Sequence, residues 1–175
     1  MQPPRIRLRD ITLADADLLE AWDTPAIRGE FNDFGLPPSP APREAMAKGP
    51  LRNDHNGQLI VELVADETPI GTVGWHQVVN GPVPSSVAWN MGITIVPEAR
   101  GRGYGTEAQR LVAAYLFETT AVNRVEASTD VENVAEQRSL EKAGFRREGI
   151  MRGAQFRAGA YHDLVLYSRL RNDPA

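Results

Sequence analysis

The hydrophobic pattern along the chain changes from a period of two to a period near that of a helix. Three β-rich runs joined by short turns predict antiparallel neighbouring strands over 58–65, 70–79 and 86–96. The apolar residues over 108–116 then share one stripe at helical spacing, which predicts a helix. This region therefore predicts a β-meander followed by an amphipathic helix.

Further helix and strand signals lie on both sides of this region. Thr12 precedes an apolar pattern at helical spacing, with Asp15 at the capping-box position, which predicts a helix start. Gly144 is the expected glycine just beyond another helix. The remaining predicted elements are helices over 12–23 and 133–143 and strands over 124–129, 145–151 and 161–170. Together the elements predict an α+β fold in which helices pack on a mixed sheet.

A long segment between the first predicted helix and the first predicted strand is rich in proline and glycine. Residues 29–50 are therefore predicted to form a loop with one short helix over 42–48. Because long ordered loops are often binding elements, Glu30 and Asp33 are candidates for binding a cationic acceptor. The alternative is a solvated loop anchored by its two phenylalanines.

Composition narrows the classes of function. With 175 residues, 42% of them hydrophobic, the chain is expected to form one soluble domain over 1–175. No apolar run reaches membrane-spanning length and the N-terminus lacks a secretory pattern, so a cytoplasmic protein is expected. A net charge of −4 argues against nucleic acid as the main partner. Zero cysteines exclude disulfides and cysteine nucleophiles, and the three histidines show no metal-ligand spacing.

The segment over 93–107 carries the strongest functional signal. A β-branched run stops at Pro97, a loop with three alternating glycines follows, and a helix then begins. Glycines let the backbone approach a ligand closely, and a helix N-terminus presents unpaired N–H groups. Arg100 and Arg102 add positive charge beside these groups. The segment therefore predicts a phosphate or pyrophosphate site.

Other glycine-loop motifs fit this segment less well. A Walker loop is excluded because no Gly-Lys-Ser/Thr sequence follows. A Rossmann dinucleotide loop fits poorly, because Thr106 stands at the third-glycine position and the preceding strands are predicted to be antiparallel. A glycine-rich helix start without a ligand stays open on spacing alone.

Two motifs at a defined separation carry a family resemblance. The first is Arg-Gly-Arg-Gly-Tyr-Gly-Thr over 100–106, and the second runs over 133–145, with a further similar stretch over 161–168. They resemble the acetyl-CoA signature and second half of GNAT superfamily N-acetyltransferases, in particular the RimJ/RimL-like branch. The resemblance covers roughly 5–170. It implies an α+β, GNAT-like mixed and mostly antiparallel sheet with helices packed on both faces, and an acyl-CoA loop between a central strand and the following helix.

The resemblance also implies a set of cofactor-binding residues. Backbone amides of the loop would hold the pyrophosphate of acetyl-CoA, and main-chain groups of Ile95 and Val96 would pair with the pantetheine arm. Asn133 stands where the family places an asparagine that touches the cofactor, with helix N-capping as its alternative role. The implied residues of the loop are Arg100, Gly101, Arg102, Gly103, Tyr104, Gly105 and Thr106.

The residues that would catalyse the transfer depart from the family pattern. The amine must lose a proton before it attacks the thioester. The family often has glutamate where this chain has Asn90, which can only orient a water or the acceptor. It often has a serine, associated with the cofactor sulfur, where this chain has Glu136. His76 is therefore a candidate base, because an imidazole accepts protons near neutral pH, and the neighbouring Trp75 is a candidate for the acceptor site.

The resemblance thus implies an acetyl-CoA-dependent N-acetyltransferase that acts by direct transfer, since no cysteine can form an acyl-enzyme. The acceptor would be a primary amine on a small molecule or at a protein N-terminus, and no metal is expected. Homodimers are common in the family. Two alternatives remain: a non-catalytic acyl-CoA-binding sensor or partner module, and a transferase of a larger acyl group.

Overall fold

One seven-stranded sheet organises the computed structural model, which describes residues 4–35, 42–47, 49 and 51–174. The strand order is β1-β2-β3-β4-β5-β7-β6. The strands are β1 (Ile6–Asp10), β2 (Asn56–Leu63), β3 (Pro69–Val79), β4 (Val87–Ile95), β5 (Arg124–Asp130), β6 (Arg146–Arg157) and β7 (Ala160–Leu170). The α-helices are α1 (Ala16–Trp22), α2 (Pro25–Arg28), α3 (Pro42–Ala47), α4 (Tyr104–Thr119) and α5 (Val134–Lys142).

The sheet is antiparallel apart from one short parallel pair at its centre, between β4 and β5. Trp89 pairs with Val125 and Asn90 with Glu126. Both strands lie wholly within the described residues, and they form no further pair with each other. Both strands continue beyond this point, and β5 stays paired with β7. The two central strands therefore diverge and leave a wedge in the sheet.

The hydrophobic core lies on one face of the sheet. Trp89 and Met91 of β4 are buried on this face, because side chains at alternate positions of a strand share a face. Leu116 of α4 and Leu140 of α5 are fully buried against it. Asn90 therefore points to the opposite face, as the sequence predicted.

The segment around α2 lies over the opposite face of the sheet. Asp23 and Arg28 line a cavity there together with His76 of β3 and Asn90 of β4. Helices thus lie on both faces of a mixed, mostly antiparallel sheet, and the predicted fold class is confirmed.

Local capping interactions set the helix ends that the sequence predicted. The carboxylate Oδ2 of Asp15 accepts a hydrogen bond from the Thr12 amide at 2.8 Å, so the capping box forms. The Asn133 side chain caps α5 by accepting from the Glu136 amide at 3.2 Å. Gly144 follows that helix with a φ of +90°, a conformation that favours glycine.

The predicted strands and helices are confirmed with small shifts of their ends, but sequence reasoning missed two elements, β1 and α2, and the second half of β6. β1 has no apolar run, because Arg7 and Arg9 alternate with its buried side. α2 is only four residues long, too short for a periodicity argument. β6 continues past an irregularity over 152–154, where Gly153 interrupts the strand pattern.

The predicted loop over 29–50 is only partly described. Its short helix is confirmed as α3. Residues 36–41, 48 and 50, which include four of the prolines behind the loop prediction, lie outside the described residues.

Gly71 of β3 is expected to be intolerant of any side chain. A Cβ there would lie 2.1 Å from the carbonyl oxygen of Thr94, a backbone atom that cannot move without shifting β4. We expect Gly71→Ala to lower the free energy of unfolding by about 1–3 kcal/mol, the usual cost of overpacking. Gly74→Ala on the same strand is the control, because its Cβ would meet nothing closer than 3.6 Å. Equal urea unfolding midpoints for the two variants would contradict the steric account.

Candidate functional site

The wedge between β4 and β5 exposes main-chain groups of β4. The Val96 amide donates to the Ile70 carbonyl at 2.9 Å on the β3 side. Hydrogen-bonding direction alternates along an antiparallel strand, so the main-chain groups of Met91, Ile93 and Ile95 point toward β5 instead. Because β5 has diverged beyond Met91, the main-chain groups of Ile93 and the amide of Ile95 form a free strand edge along the wedge.

A cavity of about 590 Å³ opens at the end of this wedge, and we call it the glycine-loop cavity. The loop before α4, the start of α5 and the segment after α2 surround it. The predicted cofactor residues that line it are Ile95, Arg100, Gly101, Gly103, Tyr104, Gly105, Thr106 and Asn133. Residues far apart in sequence are thus brought together as the glycine-loop prediction requires.

The start of α4 presents unsatisfied N–H groups to this cavity. Gly103 is the N-cap residue, and no side chain caps the helix. The amides of the first helical turn have no partner within a helix, so they favour an anion. Gly101 and Gly103 have φ of +73° and +81°, which explains glycine at both positions. The φ of Gly105 lies in a region that other residues also adopt, and a Cβ there would lie 3.8 Å from the Ser139 hydroxyl. The fold itself therefore does not require glycine at this position.

The charge of the lining also favours an anion. The cations of the described lining are Arg28, Arg100, Arg138 and Lys142, and the carboxylates are Glu30 and Glu136. The guanidinium of Arg100 has a structural task as well. Its Nε donates to the Ile95 carbonyl at 2.8 Å and its Nη2 to the Ile27 carbonyl at 2.5 Å, so it fastens α2 to the end of β4.

Two of the predicted cofactor residues need correction. Val96 cannot offer main-chain groups to a ligand, because its amide donates to Ile70 and its carbonyl accepts from Ala99 at 3.0 Å. Ile93 takes its place on the free edge. Arg102 is exposed and does not line the cavity, and its carbonyl accepts from Arg5 Nη1 at 3.0 Å.

A second cavity of about 920 Å³, which we call the sheet-face cavity, lies on the face opposite the core. His76 and Asn90 are register partners on β3 and β4 and both line it, as the sequence predicted. Ile93 and Thr94 line both cavities, so the two spaces meet at β4. Gly92 also lines the sheet-face cavity, and a Cβ there would meet nothing within 4 Å.

The lining of the sheet-face cavity is polar but nearly neutral. Asp23 and Arg28 are the one carboxylate and the one guanidinium of its described lining, and they form an ion pair. His76 is the imidazole of that lining. Its carboxamide side chains are Asn32, Asn53, Asn56, Gln58, Asn90 and Gln155.

Of the three predicted acceptor residues, Trp75 lines the sheet-face cavity and the other two do not. Glu30 lines the glycine-loop cavity instead. Asp33 pairs with Arg28 at 3.3 Å and lines neither cavity. Trp75 lines the sheet-face cavity, and its ring also packs in the core against Tyr115, at 5.6 Å between ring centroids, which leaves the residue 6% exposed.

Glu136 belongs to a polar network between α4 and α5. Gln109 of α4 donates to its Oε1 at 2.5 Å and accepts from the Ser139 hydroxyl at 3.0 Å. Ser139 lies 3.0 Å from the Thr106 hydroxyl at the glycine loop. Burial raises the pKa of Glu136 to about 7, and the hydrogen bond from Gln109 opposes this shift.

Sequence reasoning missed Gln109 and Ser139. The available signal in the sequence was Gln109 itself, a polar residue between apolar positions of α4. The structure shows that this residue is fully buried. Among the described residues, no cluster of His, Cys, Asp and Glu could hold a metal ion. None of the helices in the described residues is long and apolar enough to cross a membrane.

Comparison with known proteins identifies related sequences. A family model described as an acetyltransferase (GNAT) domain matches residues 5–146. The probable N-acetyltransferase YjcK of Bacillus subtilis (strain 168) is 32% identical over 123 residues, covering 70% of this chain and 66% of YjcK, so the chain spans about two thirds of that protein. The uncharacterized N-acetyltransferase p20 of Bacillus licheniformis is 26% identical over 178 residues, covering 98% of this chain and 96% of p20.

Solved structures share the fold. Spermidine N-acetyltransferase from Vibrio cholerae, in complex with CoA and spermine, has a TM-score of 0.81 at 19% identity, covering 98% of each chain. RimL, a ribosomal L7/L12 alpha-N-protein acetyltransferase in complex with coenzyme A, has a TM-score of 0.78 at 16% identity, covering 96% of this chain and 95% of RimL. At these identities the likeness shows the fold alone.

The pKa of Glu136 predicts how stability depends on pH. Because folding raises this pKa from 4.5 to about 7, the folded chain binds the proton more tightly, and this contribution is fully present below pH 4.5 and lost as the pH rises to 7. We expect Glu136→Gln, which stays neutral, to exceed wild type in unfolding free energy by about 3 kcal/mol at pH 8 and to match it near pH 4. Urea unfolding across this range measures the difference.

The exposed Glu132 just before α5 supplies the matched control, Glu132→Gln, which should keep the wild-type pH profile. A constant difference between Glu136→Gln and wild type from pH 4 to 8 would contradict the raised pKa.

Proposed function

The chain belongs to the GNAT family of acetyltransferases, and we propose that it moves an acetyl group from acetyl-CoA in the glycine-loop cavity to a primary amine in the sheet-face cavity. The meeting of these two cavities at Ile93 and Thr94 supports the proposal most strongly. A donor on one side of β4 and an acceptor on the other can react directly only if their spaces join. The wedge between β4 and β5 provides that junction.

Acetyl-CoA suits the glycine-loop cavity in both charge and shape. Its pyrophosphate would bind the amides at the start of α4, where the helix dipole and the surrounding cations favour negative charge. Its pantetheine arm carries amide groups, and these would pair with the free edge of β4, at the main-chain groups of Ile93 and the amide of Ile95, as an added strand does. The thioester would then lie in the wedge.

The side chains around the junction supply the proton transfers. The amine nitrogen attacks the thioester carbonyl carbon and the carbon–sulfur bond breaks, so one proton must leave nitrogen and one must reach sulfur. His76 accepts the amine proton, directly or through water, and Asn90 opposite it orients the acceptor. Glu136, whose pKa lies near 7, is protonated often enough at neutral pH to give its proton to the leaving thiolate.

The lining of the sheet-face cavity favours an amine carried by a neutral, polar molecule. Its recurring carboxamides can pair with amide or hydroxyl groups of an acceptor. A polycation would find Asp23 already paired with Arg28. The acceptor is therefore either a small polar amine or a peptide N-terminus. A single domain, a cytoplasmic location and a homodimer stay predictions.

Release of free thiol from acetyl-CoA tests the function. The purified chain would be incubated with acetyl-CoA and a panel of spermidine, small hydroxylated monoamines and short peptides with free N-termini. We expect amine-dependent thiol release, greater with the neutral acceptors than with spermidine. Tight binding of acetyl-CoA without release on any amine would instead support a non-catalytic sensor, and preference for succinyl- or malonyl-CoA would support a larger acyl group.

Gly92 provides a sharper test of where the acceptor binds. The space around a Cβ at this strand position is open, and valine favours strands, so Gly92→Val should fold as well as wild type. Its side chain would fill the sheet-face cavity beside the junction. We expect kcat/KM for the acceptor to fall at least tenfold, about 1.4 kcal/mol, with little change in CoA affinity.

The control is Gly149→Val on β6, where a Cβ also meets nothing within 4 Å but which lines neither of the two cavities. Steady-state kinetics and CoA titration measure both variants. An unchanged acceptor kcat/KM in Gly92→Val would place the acceptor elsewhere.

A further inference from the structure

The short segment after α2 forms the partition between the two cavities, and we call residues 29–32 the strap. Glu30 and Phe31 line the glycine-loop cavity, and Asn32 lines both cavities. Within the strap, the Asn32 amide donates to the Gly29 carbonyl at 3.1 Å, which closes one turn. This turn alone does not fix the strap against the sheet.

The guanidinium of Arg157, near the end of β6, makes the contact that holds the strap. Its Nη1 donates to the Glu30 carbonyl at 2.7 Å. Its plane lies against the ring of Phe31, with 5.4 Å between Cζ and the ring centroid. The side chain is almost fully buried, so these contacts are made away from water.

Arg157 is itself fixed by the end of β5. Its Nη2 pairs with the Asp130 carboxylate, and both residues are buried, at 5% and 3% exposure. The other carboxylate oxygen of Asp130 accepts from the Glu132 amide at 2.8 Å, in the turn that leads into Asn133. The strap is thereby tied to the same turn that positions α5 at the glycine-loop cavity.

Arg157 also orients a side chain of the sheet-face cavity. Its Nε donates to Oε1 of Gln155 at 3.3 Å, so the NH₂ group of Gln155 is left for the cavity that Gln155 lines. These residues reach the site because β6 contains the irregularity over 152–154. The Gly153 amide there donates to Asp163 Oδ1 at 2.7 Å, which fixes the irregularity to β7.

We propose that Arg157 is a positioning residue that clamps the strap to the end of β5 and thereby holds the partition between the two cavities, so that it shapes both sides of the junction. The planar guanidinium is essential, because this one group must contact the Glu30 carbonyl, the Asp130 carboxylate and the Phe31 ring at the same time. A lysine keeps the charge opposite Asp130 but cannot make all three contacts. The proposal rests on the proposed function for its kinetic consequence, whereas the clamp itself is a property of the free protein.

The test compares Arg157→Lys with Arg171→Lys. Arg171 is a matched control at the far end of α4, where its guanidinium donates to the carbonyls of Phe117, Thr120 and Val122 and lies 5.5 Å from the Phe117 ring centroid. Hydrogen exchange over 29–34 is measured in the free proteins. Acceptor KM and kcat and the Kd for CoA are then measured with the best acceptor of the amine panel.

We expect Arg157→Lys to speed exchange in the strap and to raise the acceptor KM and the Kd for CoA each roughly tenfold, with a smaller change in kcat, because the strap borders both cavities and misplacing a binding segment by about an ångström costs tenfold or more. Arg171→Lys should leave both readouts close to wild type. Phe31→Leu, which keeps the backbone and removes the ring, should give effects between those of wild type and Arg157→Lys. This variant tests the clamp if Arg157→Lys does not fold.

Unchanged strap exchange in Arg157→Lys, or equal effects in the two arginine variants, would overturn the clamp. If wild type acetylates no amine, the proposed function fails, but the exchange measurement still decides whether Arg157 holds the strap.

Discussion

The early end of the parallel pairing between β4 and β5 is the constraint on which the site depends. If the two strands stayed paired past Asn90 and Glu126, the main-chain edge of β4 would be satisfied by β5 and the sheet would separate its two faces. Because they diverge, Ile93 and the Ile95 amide offer unpaired groups, and the two cavities reach the same point of β4. The hydrophobic core that α4 and α5 form against the sheet stabilises the fold around this open edge.

The two cavities differ in electrostatic character, and this difference supports different occupants. Cations and the N-terminus of α4 surround the glycine-loop cavity, whereas carboxamides and one closed ion pair dominate the described lining of the sheet-face cavity. A multiply charged cofactor therefore fits one side and a neutral polar amine the other. The partly buried Glu136, with its raised pKa, lies on the cofactor side, where a leaving thiolate needs a proton.

Local signals allowed much of this arrangement to be predicted from the sequence. The glycine loop and the cap at Asn133 depend on neighbouring residues, and both form as the sequence predicted. His76 and Asn90 could be placed together because one turn joins their strands. The clamp could not be predicted, since it joins Glu30 and Arg157 across 127 positions and depends on an irregular strand. Val96 differs from its predicted place because its role depends on hydrogen-bond direction, which alternates from one residue to the next along a strand.

A crystal structure with CoA bound would show whether the cofactor occupies the wedge. We predict the pyrophosphate on the amides at the start of α4, the pantetheine arm along Ile93 and Ile95 in the wedge, and the sulfur at the junction near Thr94. A structure in which β4 and β5 close on each other, or in which the sulfur lies away from this junction, would contradict this prediction.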